Sequence, residues 1–237
     1  MLLRKPRAYA EIYNDLDGEV CNLFAVARDP ALGEQLAQAI EMTPFARDEF
    51  VLSYERTFDP IEQARRTVAR SFMSFGSAGA TRQPSGFRAN SNRSHTTPAH
   101  DWMNYPDTLR QVIQRLRGVV IENRDALDVI AQHDNDDTLF YVDPPYVHST
   151  RYLDGKKHSY QFEMDDAAHE RMAQKLLTVR GYVVLSAYDC ELYRDLFKGW
   201  RLVQRASHAD GAAARVECLW MSPNMPATGF DFGDVAA

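Results

Sequence analysis

Asp143-Pro144-Pro145-Tyr146 sets a carboxylate, two rigid imino acids and an aromatic ring in four consecutive positions, directly after the apolar run Leu139-Phe140-Tyr141-Val142. Those residue types suit a reaction at an aromatic amine. The exocyclic nitrogen of adenine is a poor nucleophile because its lone pair is delocalised into the ring. An acceptor on each N–H favours a pyramidal nitrogen and stabilises the positive charge that develops during attack. The Asp143 carboxylate, ionised at neutral pH with an ordinary pKa of about 3.9, can be one acceptor. The carbonyl of Pro144 can be the other, with the proline rings fixing φ on either side of it. Tyr146 offers a flat face for an extruded base. No prior deprotonation is needed, because an N-methylated ammonium loses its proton easily after transfer. Taken alone, the same four residues also read as a rigid turn whose Asp satisfies local amides. Their place at the end of an apolar strand favours the chemical reading.

Two other carboxylates follow strand-like runs: Asp15 after Ala8 to Tyr13, and Asp125 after Val119-Val120-Ile121-Glu122. Each also reads as a helix N-cap, and Asp17 competes with Asp15 for either role. A different signal lies at 63–100, which holds Arg65, Arg66, Arg70, Arg82, Arg88 and Arg93 and no Asp or Glu, in a chain of net charge −6. Such a stretch suits contact with phosphates, which sets affinity and position without reading sequence. Gln83, Asn90, Asn92 and Ser94 could reach base edges. The alternative is an arginine-rich surface loop with no partner.

The elements around these residues alternate between strand and helix. A strand at Ala8 to Tyr13 precedes a helical pattern at Leu16, Val20, Leu23, Phe24 and Ala27, which Pro30 should stop. Helical patterns recur at Leu32/Leu36/Ile40, at Ile61/Ala64/Val68/Phe72 and through Leu109, Val112, Ile113 and Leu116, with an irregular piece from Gly76 to Pro98. Strands are expected at Val119–Glu122, Thr138–Val142 and Tyr182–Ser186, and helices through Leu127 and Ile130, from Asp165 to Thr178 and from Glu191 to Phe197. The last two strands, near Arg201–Ala206 and Arg215–Met221, should form an antiparallel hairpin at a sheet edge. The fold class is therefore α/β, an open and mostly parallel sheet with a mostly helical insertion. In such sheets ligands bind outside the carboxyl ends of the strands, where Asp15, Asp125 and Asp143 all fall, a hint of one shared site. The expected division is 1–30 with 118–237 as one domain and 31–117 as the insertion.

Bulk properties are those of an ordinary globular protein: 237 residues, 45% apolar and 25% charged. The acidic balance argues against a protein that coats nucleic acid but leaves room for a local basic groove. Cys21, Cys190 and Cys218 have no metal-site or disulfide spacing and suit a reducing compartment. The opening Met1-Leu2-Leu3-Arg4-Lys5-Pro6 does not have the apolar run of a signal peptide, and no apolar stretch approaches the length of a membrane span. A cytoplasmic location and no metal are expected.

On these residues the chain resembles the Dam-like N6-adenine DNA methyltransferases, in which a Rossmann-like S-adenosylmethionine-dependent domain carries a DNA-recognition insertion. Tyr141 to Tyr146 is similar to the family's catalytic motif, and the match continues through Val147-His148-Ser149-Thr150-Arg151. The resemblance implies that Asp143 and the Pro144 carbonyl hold the target N6, with Pro145 bracing and Tyr146 stacking on a flipped adenine. Arg151 would then contact phosphate or substrate, unless it is a solvated loop arginine. Tyr13-Asn14-Asp15-Leu16 resembles the second motif and Asn123-Arg124-Asp125-Ala126 the next. This implies an S-adenosylmethionine site formed by Asp15, Leu16, Asp125, Ala126 and Asp143, with Asp15 accepting from the ribose hydroxyls and Asp125 beside the cofactor's adenine. The insertion implies duplex DNA as partner, contacted by Arg65, Arg66, Arg70, Arg82, Arg88, Asn90, Asn92, Arg93 and Arg151, with a companion restriction endonuclease as one possible context. Gly155 and its polar neighbours would let 147–160 act as a lid or form a fixed loop. Phe162, Trp200 and Trp220 are expected as core aromatics.

Relatives open with a first strand and a glycine loop of the type Phe-x-Gly-x-Gly, and Leu2-Leu3-Arg4-Lys5-Pro6-Arg7 resembles the segment just after it. The loop has no counterpart here, so weak cofactor binding and poor folding are expected unless the chain is extended upstream or completed by a partner. Two further readings stand beside the first. One is an inactive DNA-binding remnant. The other is transfer to a different planar amine, in RNA, a free base or a protein amide.

Overall fold

Two Asp-Pro pairs open two of the three longest described helices. In the computed structural model, which describes residues 2–75, 85–89, 96–150, 161–208 and 214–226, Asp29 caps a helix that begins at Pro30. Its Oδ1 accepts from the N–H groups of Ala31 and Leu32 at 2.8 and 2.9 Å. Asp59 does the same ahead of Pro60, accepting from Ile61 and Glu62. Proline costs nothing at the first helical position, where its missing N–H would have no partner. Pro30 therefore both ends one helix and starts the next. Asp29→Ala should cost about 1 kcal/mol and lower the melting temperature by about 2–4 °C, with Asp29→Asn nearly neutral. An unchanged melting temperature in the alanine variant would remove the capping argument.

The chain divides into two compact units, Met1–Ala126 with Leu153–Glu163, and Leu127–Tyr152 with Met164–Ala237. The first is mainly helical. It contains β1 (Ile12–Asn14), α1 (Gly18–Arg28), α2 (Pro30–Glu41), α3 (Arg47–Leu52), α4 (Pro60–Met73), α5 (Pro98–Met103), α6 (Tyr105–Leu116) and β2 (Val120–Glu122). Leu36, Ile40, Ala64, Val68, Met73, Ile113 and Leu116 are buried at helical spacing and form one core. β1 pairs with β2 in parallel, and Tyr13 and Ile121 pack against that helical core.

The second unit contains α7 (Ala126–His133, beginning at the boundary), β3 (Leu139–Val142), a single 3-10 turn (His148–Thr150), α8 (Asp166–Leu176), β4 (Tyr182–Ser186), α9 (Glu191–Leu196), β5 (Arg201–His208) and β6 (Ala214–Met221). Its strand order is β3-β4-β6-β5, with β3 parallel to β4 and the β5–β6 pair antiparallel. Strand alternation sorts the faces. Phe140, Val142, Val183, Leu185 and Trp220 join Met172, Ala173 and Leu176 of α8 and Tyr193 of α9 in one core. Leu139 and Tyr141 lie on the other face and are 40% and 39% exposed. A Cβ on Gly181 would come within 2.7 Å of the Thr138 carbonyl, so only glycine lets β4 start this close to β3.

Several expectations are corrected. The described strands form a two-stranded and a four-stranded sheet rather than one continuous sheet. The two compact units part after residue 126, so β1 and β2 lie in the first of them, together with the helices. The cause is local: these two short strands pair with each other and bury their apolar side chains on the helical core. Helices α3 and α5 were not expected. Phe162 is exposed, whereas Trp200 and Trp220 are core residues as read from sequence. Among the described residues, no helix is long and apolar enough to cross a membrane.

Candidate active site and nucleic-acid interface

Strand register explains how the second unit builds the surroundings of Asp143. β3 and β4 are paired residue for residue from Leu139↔Tyr182 to Val142↔Leu185, which brings Asp143 level with Ser186 just beyond the pair. β4 and β6 pair at Ser186↔Leu219, and Ala187 N–H donates to the Cys218 carbonyl, so Glu217 follows on the neighbouring strand. A carboxylate, a hydroxyl and a second carboxylate thus meet at one end of the sheet. Asp143 is exposed, Pro144 is buried and Tyr146 is half-buried. The Tyr146 ring lies 4.6 Å from that of Tyr188, tilted by 49°. Burial of Pro144 immobilises the backbone next to the carboxylate.

The Asp143 carboxyl titrates above the ordinary carboxylate range. Protein packed around it opposes ionisation most; the Ser186 hydroxyl, hydrogen-bonded to it, pulls the other way, and Glu217 adds like-charge repulsion. Tyr141, two residues earlier on the same face, also has its pKa raised by burial, against a hydrogen bond with Ser186. Ser186, Tyr188 and Glu217 had no chemical role in the sequence reading. The signal that could have found them is the register, which requires knowing which strands are neighbours.

In the first unit, the tips of β1 and β2 are tied by side chains. Asn14 donates to the Arg124 carbonyl at 3.0 Å and accepts from the Arg124 N–H, while Asn123 donates to the Asp15 carbonyl at 2.7 Å. Asp15 accepts from the Tyr13 hydroxyl at 3.0 Å and from the Asp17 N–H at 2.9 Å. It is Asp17 that caps α1, by accepting from Glu19 N–H at 2.8 Å. The cap role therefore does not account for Asp15. Asp15 is half-buried, and Leu16, Asp125 and Ala126 are exposed. Two carboxylates at the carboxyl ends of adjacent parallel strands fit a polyhydroxylated, amine-bearing group such as a nucleoside. These residues and Asp143 belong to different units.

The arginines of 63–100 divide sharply. Arg70 is 2% exposed, with its guanidinium on Glu19 at 2.7 Å and on the Ser53 carbonyl at 3.0 Å. Arg65 is buried between Glu49 and Glu62, at 2.6 Å from each, and its own pKa is raised by those partners. Arg66 shares Glu62 at 2.7 Å, and the two arginines hold that carboxyl near a pKa of about 2. The acid-free stretch is thus neutralised in part by acids lying outside it. Arg65 and Arg70 face inward, where phosphate cannot reach them. Arg88 is half-buried, and its N–H donates to the Met73 carbonyl. Arg82, Asn90, Asn92, Arg93 and Arg151 lie outside the described residues, as does most of the expected 147–160 lid. Among the described residues no group of His, Cys, Asp or Glu could hold a metal ion.

Mixed α/β units with an Asp-Pro-Pro-Tyr strand tip are the class of protein defined so far. The profile of the D12 class N6 adenine-specific DNA methyltransferases matches residues 2–210. The chain belongs to that family, whose chemistry is the methylation of adenine in DNA. Comparison with curated proteins gives no match.

Proposed function

We propose that the chain is a site-specific DNA adenine-N6 methyltransferase that uses S-adenosylmethionine and acts on an adenine rotated out of duplex DNA. What supports this reading most is Asp143: an exposed carboxylate at the tip of β3, beside the Ser186 hydroxyl and followed by a buried proline. Its carboxylate accepts one N6–H and the Pro144 carbonyl the other, concentrating the nitrogen lone pair on the unoccupied side. Tyr146, propped by Tyr188, stacks on the base. When bound, S-adenosylmethionine supplies an electrophilic methyl on a sulfonium. Asp15 and Leu16 would hold its ribose side and Asp125 and Ala126 its adenine side, in a Rossmann-like arrangement. DNA contacts are assigned to Arg88, Arg82, Asn90, Asn92, Arg93 and Arg151, with Arg66 in a supporting place and Arg65 and Arg70 left to the fold. Transfer of labelled methyl to unmethylated duplex DNA, and not to the same duplex already methylated at adenine N6, tests the assignment. Equal labelling of both duplexes would refute it.

A pH profile follows from the raised pKa. The reacting form is the carboxylate, so activity is lost as pH falls through the Asp143 pKa, and this acid limb should lie above the ordinary carboxylate range. Ser186→Ala removes a hydrogen bond to the charged form and should move the limb to higher pH. Glu217→Gln removes a like charge and should move it lower. Measuring kcat/KM against pH for the three proteins checks this; coincident limbs would show that these groups do not act on Asp143.

A further inference from the structure

A cleft of about 550 Å³ in the first unit lies between the start of α1 and the segment leading into α4. Its walls include Asp17, Glu19, Arg56, Phe58 and Gln63. Gln63 is 7% exposed, and its amide orientation is fixed because Oε1 accepts from the Thr57 N–H at 3.1 Å. That leaves Nε2 as a buried donor with no acceptor among the described residues. Buried donors are almost always satisfied, so this one calls for a partner. Phe58, on the same cleft, is an aromatic ring fully open to solvent.

We propose that this cleft is a subsite for an amine-bearing nucleobase, stacked on Phe58 and read by Gln63. A volume in the hundreds of Å³ suits a group of this size. The charges disfavour a phosphate, since among the described residues Arg56 is the one cation lining the cleft and faces the carboxylates of Asp17 and Glu19, itself 3.4 Å from Glu19. They favour a neutral ring that offers an amine to a carboxylate and a ring nitrogen to the Gln63 amide, a pattern shared by adenine, cytosine and guanine but not by thymine. The inference rests on the reading of the chain as acting on DNA. A base of the DNA strand and the adenine of a nucleoside cofactor share this chemistry.

Polarisation titrations with labelled single strands of about twelve nucleotides separate the two sources. The strands are all-adenine, all-cytosine, all-thymine and abasic, so that phosphate charge is equal throughout. Equilibrium dialysis with S-adenosylmethionine is the second arm. We expect adenine and cytosine strands to bind at least about tenfold more tightly than thymine or abasic ones, and Phe58→Ala and Gln63→Glu each to erase most of that difference. Losses confined to S-adenosylmethionine binding would assign the site to the cofactor's base. Unchanged binding of both probes in both variants overturns the proposal. Phe58 is exposed, so its truncation leaves no cavity and keeps the test valid even if Gln63→Glu fails to fold. The readout is binding without transfer, so a failure of the Asp143 chemistry leaves it standing.

Discussion

Asp143→Asn should remove methyl transfer, by about a hundred- to a thousandfold or more, and at the same time raise the melting temperature. The amide keeps the size and one acceptor of the carboxylate but loses its charge, and it can present an N–H where the substrate needs an oxygen. The stability gain follows from linkage. Asp143 is exposed as a residue, but protein around its carboxyl partly desolvates it and raises its folded-state pKa above the ordinary value, so the folded chain binds more protons than the unfolded chain over the interval between the two pKa values. Stability therefore falls as pH rises through that interval, and at neutral pH the ionised group is a net cost. A neutral side chain relieves it. Loss of activity together with lost stability would mean that Asp143 serves the fold, and retained activity would remove it from the mechanism.

Arg70→Met should be the most damaging single change to the first unit. The guanidinium is 2% exposed and ties Glu19 on α1 to the Ser53 carbonyl at the end of α3, so its removal takes a 2.7 Å cationic partner from a largely buried carboxylate. Breaking one side of a buried pair costs about 3–5 kcal/mol, equivalent to a fall of about 10 °C in melting temperature for a chain of this size. Adding Glu19→Gln should recover part of the loss, because the buried carboxylate charge that faced the guanidinium goes with it. The same variant separates a structural arginine from a phosphate contact. If Arg70 touched DNA, its loss would flatten the dependence of log affinity on log salt by about one unit and leave the melting temperature unchanged.

That arginine also marks where sequence reading stops. Its helix was legible, because Ile61, Ala64, Val68 and Phe72 recur at helical spacing and Asp59-Pro60 is a start signal. The direction of the arginine was not, since its partner Glu19 lies on another element, as Glu49 does for Arg65, while Glu62 falls just outside the stretch being counted. Net charge over a window says nothing about acids that the fold brings in from elsewhere. Short helices escaped for a related reason: α3 buries Phe50 alone, and α5 buries Pro98 and Trp102, too few positions to show a period. The hairpin of β5 and β6 was legible from the hydrophobicity of its two runs, but the insertion of β6 between β4 and β5 is a tertiary choice. At the candidate site, Asp143 through Tyr146 stood out because type and context coincide within four residues. Ser186, Tyr188 and Glu217 come from other strands and acquire their place only through register. Between Asp15 and Asp17, a shift of two residues decides which carboxylate caps α1, and propensity alone cannot choose.

The central claim is that one carboxylate at the end of β3 grips the amine of adenine and so selects the atom that is methylated. Its most direct test is the identity of the product: duplex DNA labelled from methyl-tagged S-adenosylmethionine, digested to nucleosides and separated. The account predicts that the label is recovered as N6-methyladenine with the unaltered chain and is absent with Asp143→Asn. Recovery as N4-methylcytosine, or the same yield of N6-methyladenine from both proteins, would contradict it.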